Sequence, residues 1–152
     1  MRAVVNLVNG STVAGLAVAV AGRARVRRAG DGLLVAAGFR WPAPASAFCV
    51  GSVLVTRRAD AEFRGDRRLF AHEARHATQY ACCGGLAMLP LYGAAALVSW
   101  TLCGDFGARN VFERRAGLED GGYSAKPLRG RLRRAAGVRA AGVRGNGKGQ
   151  TL

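Results

Sequence analysis

The chain has 152 residues and a formal net charge of +14; half its residues are hydrophobic but only 7% are aromatic. That length holds one domain at most, with a core of limited size. The cysteines Cys49, Cys82, Cys83 and Cys103 form no C-x-x-C spacing, which excludes a disulfide framework or a zinc ribbon and fits a reducing compartment.

Residues 3–22 carry no charge and are just long enough to cross a bilayer. Asn6, Asn9, Ser11, Thr12 and the glycines interrupt the apolar run, and with the arginines that follow they argue against a signal peptide. A helix lying in or on a membrane, or packed on a second apolar segment, fits as well as a full span. In residues 23–57, Ala24–Arg28 and Leu33–Ala37 flank Gly30-Asp31-Gly32, a strand–turn–strand pattern. Trp41-Pro42-Ala43-Pro44 is a breaker. Phe48–Thr56 is β-branched and aromatic enough for a third strand. The expected fold class is α+β: a small antiparallel sheet, made of a hairpin plus one strand, followed by a helical region with two apolar helices. Its expected divisions are an apolar segment 1–22, a central domain 23–123 and a disordered tail 124–152.

After a short helix or turn over 60–65, Asp66 is placed to cap a helix over 67–82. That helix carries His72-Glu73-Ala74-Arg75-His76, an H-E-x-x-H motif and the zinc-binding signature of metallopeptidases. Its two histidines are the only ones in the chain. One helical turn apart, they lie on one face and can share an ion, with Glu73 beside them to take a proton from an activated water. Gln79, three residues on, lines the same face. The helix should stop at Gly84-Gly85.

Leu86–Cys103 follows as a second apolar helix, broken or started at Pro90, whose length permits either a membrane span or a buried core helix. Two full spans would put the Arg23–Arg28 stretch and the tail on opposite sides, although both are arginine-rich. The positive-inside bias places both in the cytoplasm, so an interfacial or re-entrant pair, or a single span, fits better. Residues 105–117 read as a further helix, capped by Asp105 and ended by Gly117. The tail holds Lys126, Arg129, Arg131, Arg133, Arg134, Arg139, Arg144 and Lys148 with no acid, so an anionic membrane surface is a candidate partner.

A catalytic zinc takes three protein ligands and keeps an open position. Beyond His76 the acids are Asp105, Glu113, Glu119 and Asp120. Glu113 is the first choice, because its apolar neighbours imply burial and a buried carboxylate needs a cation; a surface pair with Arg109 is its other reading. Asp105 is second, and Glu119 and Asp120 read as loop residues. Asn110, one turn before Glu113, is placed to hold it or a substrate, or to cap the helix.

The stretch HEARHATQY resembles the gluzincin-type zinc peptidases, in which two histidines on one helix and a glutamate on a later helix hold the metal. NVFERRAGLEDGGY looks like that later helix. The layout of residues 1–123 also resembles a group of short bacterial proteins in which H-E-x-R-H-x-x-Q is followed by N-x-F-E-x-x-A-G-L. The resemblance implies a zincin-like helical region, Zn²⁺ as cofactor, His72, His76 and Glu113 as ligands, and Glu73 as general base. It implies a peptide, or another amide or ester, as substrate. Tyr123, Arg109 and Arg114 are the candidates for holding an oxyanion. The chain is far shorter than most zincins and carries no evident substrate-binding domain.

The expected function is thus a zinc-dependent, peptidase-like hydrolase, cytoplasmic or at the cytoplasmic face of a membrane. The alternative is a non-enzymatic membrane-associated protein with a structural or vestigial metal site. A sequence-specific nucleic-acid binder is disfavoured, since the core lacks an aromatic-and-basic face and the Gly/Ala-rich tail has no groove-reading element.

Overall fold

The computed structural model describes residues 1–42 and 45–130. Ala43 and Pro44 of the expected breaker, and residues 131–152 of the expected tail, lie outside the described residues. In chain order the elements are α1 (Arg2–Val8), α2 (Ser11–Ala21), β1 (Arg25–Gly30), β2 (Leu33–Ala37), β3 (Ala47–Val50), β4 (Val53–Thr56), α3 (Asp60–Gly65), α4 (Arg67–Cys82), a 3-10 turn (Gly85–Ala87), α5 (Met88–Cys103) and α6 (Val111–Ala116). The class is α+β.

The uncharged stretch 3–22 does not form one continuous helix. Gly10 takes φ +77°, and α1 and α2 meet there at 79°. β1 and β2 form the expected hairpin. Asp31 and Gly32, at φ +49° and +70°, supply the two positive φ values that a tight hairpin turn needs.

The third strand is two. Gly51-Ser52 turns the Phe48–Thr56 run back on itself, giving the antiparallel pair β3–β4. Gly51 has φ +61°, and a Cβ there would collide with the Ser11 carbonyl group. The sheet is therefore four-stranded and mixed, in the order β1-β2-β4-β3, with β2 and β4 parallel. The wholly antiparallel expectation fails because the chain leaves β2, passes to the far edge as β3, and returns as β4 between them.

Both faces of the central strands are covered, which is why they read as continuous apolar runs. On one face Ala36, Val53 and Val55 pack with Ala19 of α2 and with Phe39. On the other, Val35 and Leu54 pack with Phe63 of α3 and with Leu69, Ala77 and Tyr80 of α4.

The Asp66 carboxylate caps α4, Oδ1 accepting from the Leu69 N–H at 3.1 Å, while Oδ2 accepts from Arg58 at 3.1 Å. The buried residues of α4 are Leu69, His72, Glu73, His76, Ala77 and Tyr80, which is one helical stripe. The motif thus faces the sheet and not solvent. α5 carries Pro90 in its first turn, where the missing N–H costs nothing. The helix expected over 105–117 is reduced to α6. Asp105 closes a separate turn by accepting from Gly107 and Ala108 N–H, and Asn110 caps α6 by accepting from Phe112 N–H at 3.0 Å.

Leu54, fully buried where β4 meets α4, is the keystone of that layer. Leu54→Ala is expected to cost ~2–5 kcal/mol, read as a lower denaturant midpoint at unchanged slope.

Candidate metal centre

α4 delivers two imidazoles and α6 one carboxylate to a single point. His72 Nε2 and His76 Nε2 are 3.0 Å apart. Glu113 Oε2 lies 3.1 Å from His72 Nε2, and Glu113 Oε1 lies 3.6 Å from His76 Nε2. All three residues are buried, and one ligand atom from each falls within 4.8 Å of the others. Donors ~2.0–2.1 Å from a tetrahedral ion stand ~3.3 Å from one another, close to the 3.0 Å between the imidazole nitrogens and the 3.1 Å from His72 Nε2 to Glu113 Oε2. His72, His76 and Glu113 form a group that could hold a metal ion.

The outer ring nitrogens decide where the protons are. His72 Nδ1 lies 3.0 Å from the Gly117 carbonyl oxygen, and His76 Nδ1 lies 2.8 Å from Gln79 Oε1. Gln79 is oriented by its own amide, which donates to the Phe112 carbonyl at 2.9 Å. Both acceptors are oxygens, so each Nδ1 is the donor, and in a neutral ring each Nε2 points a bare lone pair inward.

Three lone pairs meeting without a donor is unfavourable unless a positive charge sits among them. The ionisation tendencies agree. Burial pushes His72 down, but the hydrogen bond that its protonated ring gives to Glu113, the negative charges of Glu73 and Glu113, and the Gly117 carbonyl together raise it. Burial likewise pushes Glu113 up, yet hydrogen bonding with His72, His76 and Tyr92 holds it at about 2. The donor set therefore fits a cation.

Glu73 is a different kind of carboxylate. It is 4% exposed, and its Oε2 has no hydrogen-bond partner. Burial raises it to about 7 against the opposing pull of His76 and His72. It faces a groove of about 660 Å³ whose walls include His72, His76, Glu113, Tyr123, edge strand β3 and the first turns of α5.

The other expected residues separate. Gln79 supports His76 from behind. Tyr123 lines the groove, its ring seated against Gly107, and burial raises its phenol above the usual range. Asn110 is spent on the helix cap. Arg109 turns its Nε to the Lys126 carbonyl at 3.2 Å, and Arg114 is exposed; neither is among the groove's lining residues. Asp105, the second choice for third ligand, accepts from Lys126 at 2.6 Å and has no place in the cluster.

Two residues have roles that sequence reasoning did not assign. Tyr92 of α5 donates its hydroxyl to Glu113 Oε1 at 2.5 Å. Arg75, inside the motif, donates to the Ala116 carbonyl at 2.6 Å and to Asp120 at 2.8 Å. This ties the 117–121 loop over His72, where Gly121 lies so close that a Cβ would collide with the imidazole. The arginine within H-E-x-R-H is the one local signal that could have flagged the second.

No protein-family model matches the chain, and neither does any curated protein or solved structure.

Tyr92→Phe removes the donor that orients Glu113 and leaves the ring in place. Losing such a support costs ~10–100-fold in metal affinity, measurable by chelator competition. A divalent ion at 100 times its Kd adds about 2.7 kcal/mol to the folded state, so chelation should lower the melting temperature of the parent protein and leave that of His76→Ala unmoved.

Proposed function

We propose that the protein is a zinc-dependent hydrolase with a peptidase-like mechanism, His72, His76 and Glu113 holding the ion and Glu73 serving as general base. The observation that carries this reading is the pairing of a three-donor cluster with an orphaned, buried carboxylate in one apolar groove. Two neutral nitrogens and one carboxylate suit Zn²⁺ by ligand type. Three donors, all lining the groove, would leave a bound ion a fourth position for water, as a catalytic site requires; a structural site closes all four. When bound, Zn²⁺ supplies Lewis acidity, bringing a water's pKa near 7 and polarising a carbonyl.

The chain's own residues divide the remaining work. The Glu73 carboxylate, at about 7, is matched to accepting a proton near neutrality and returning it to a leaving amine. The Tyr123 phenol stays protonated and is placed in the groove as a hydrogen-bond donor to a developing oxyanion. β3 is an edge strand that lines the groove. Its backbone can align an extended peptide by strand addition. The likeness to gluzincin-type peptidases, in two helical histidines and a glutamate from a later helix, points the same way.

The test is a three-way comparison of purified proteins by metal analysis and by cleavage of a peptide library read by mass spectrometry. Parent protein is expected to hold one equivalent of zinc and to cleave. Glu113→Ala is expected to lose both. Glu73→Gln is expected to keep zinc and lose ~10²–10⁴-fold in rate. Zinc retained in Glu113→Ala, or full activity in Glu73→Gln, overturns the assignment.

A further inference from the structure

The helices α1, α2 and α5 are inside out for a protein in water. In α1 and α2 the inward residues are Asn6, Ser11, Thr12, Gly15 and Ala19, while Val4, Leu7, Val8, Val13 and Val20 face outward. The polar side chains are used internally: Asn6 donates to Ser52 Oγ and to the Ala77 carbonyl, and Thr12 accepts from Ser52 N–H. A water-facing helix has the opposite pattern.

α5 repeats the pattern. With the preceding 3-10 turn it makes 19 residues, Gly85–Cys103, with a mean hydropathy of 1.6, and only Gly85, Met88 and Ser99 among them are buried. Leu89, Leu91, Leu97, Val98 and Trp100 are exposed, over an arc of roughly 200° at 100° per residue. That is wider than the stripe one partner helix covers. Its hydroxyls are satisfied within the protein. Tyr92 donates to Glu113, Ser99 to the Asp105 carbonyl and Thr101 to the Val98 carbonyl. Such self-sufficiency is what a hydrocarbon environment demands.

The two apolar regions join. Asn9, at the elbow between α1 and α2, sits against Gly85, where a Cβ would stand 2.7 Å from the Asn9 side chain. Val8, at 83% exposure, and Leu86, at 41%, flank that contact. No charge interrupts residues 3–22 or 77–104. Cations gather at the far end of α5: Arg129 lies over the Trp100 ring at 4.9 Å, and Lys126 pairs with Asp105. An aromatic–cation pair at the end of an apolar helix marks a headgroup boundary.

We infer that α1, its elbow and α5 form one lipid-inserted surface, docked from one side on a membrane with anionic headgroups. One-sided insertion keeps the arginines of β1 and the basic residues Lys126 and Arg129 on the same side of the bilayer, as the positive-inside bias requires. Met88, Leu89 and Tyr92 of α5 also wall the groove, so insertion sets the metal centre at the lipid–water boundary. The surface does not depend on the hydrolase reading.

The experiment is flotation of the full chain with phosphatidylcholine vesicles containing phosphatidylglycerol, alongside fluorescence of the Trp41→Phe variant, which retains Trp100 as its sole tryptophan. The protein is expected to float with the vesicles, to stay bound in high salt, and to show Trp100 quenched by acyl-chain-brominated lipid. Val8→Glu/Leu97→Glu changes two exposed positions. It should keep the parent's circular dichroism and lose ~tenfold or more of the vesicle-bound fraction. Protein that stays unbound, as a monomer or as an oligomer burying α5 between copies, overturns the inference. So does binding that salt reverses with Trp100 unquenched, which would be adsorption through basic residues alone. Zinc content measured on the same samples reports separately on the metal centre.

Discussion

The convergence of two buried imidazoles and one buried carboxylate on a single point between α4 and α6 is the constraint around which the site is arranged. His72 and His76 commit their outer protons to the Gly117 carbonyl and to Gln79, which leaves two inner lone pairs facing each other. Glu113 adds a third donor and a full negative charge. All three side chains are buried. The surrounding carboxylates raise the basicity of His72, and a divalent cation at that point would face all three donors.

Much of the local architecture serves to hold that convergence. The Asp66 cap fixes where α4 begins and hence which stripe of it turns inward. The Asn110 cap sets the start of α6, three residues before Glu113. Arg75 straps the loop after α6 to α4, and Tyr92 reaches from α5 to the third donor. Arg75 and Tyr92 each join two elements, so the cluster is also tied to α5 and to the loop after α6.

The metal centre and the apolar surface are two answers to one problem. A chain of this size has a small core, and this one places four ionisable groups inside it while turning valines and leucines outward. On α4 the outer nitrogens of the buried histidines are held by Gly117 and Gln79, while the inner ones face a group that could hold a metal ion. On α1, α2 and α5 the apolar residues face outward, the pattern from which we infer lipid insertion. Tyr92 belongs to both, being rooted in the exposed helix and bonded to Glu113.

Legibility in the sequence followed the distance over which each feature is encoded. The histidine pair was readable because its spacing of four is a helical turn, and the β1–β2 hairpin because Asp31-Gly32 is a turn in itself. Glu113 emerged by elimination among few acids. The turn at Gly51-Ser52 was missed because it sits inside a β-branched run with no proline or asparagine to announce it. The start of α6 was misplaced because Asp105 and Asn110 are both competent caps, and only the tertiary arrangement chooses between them. Tyr92 and Arg75 were illegible in role, since their partners lie 21 and 41 residues away. The inversion of α1 and α2 was invisible for the same reason: hydropathy shows where apolar residues are, while the fold decides which way they face. X-ray absorption at the edge of the protein-bound metal tests the central claim most directly. The account predicts two imidazole nitrogens and carboxylate oxygen at ~2.0–2.2 Å, and a shell of oxygen alone, or one containing thiolate sulfur at ~2.3 Å, would contradict it.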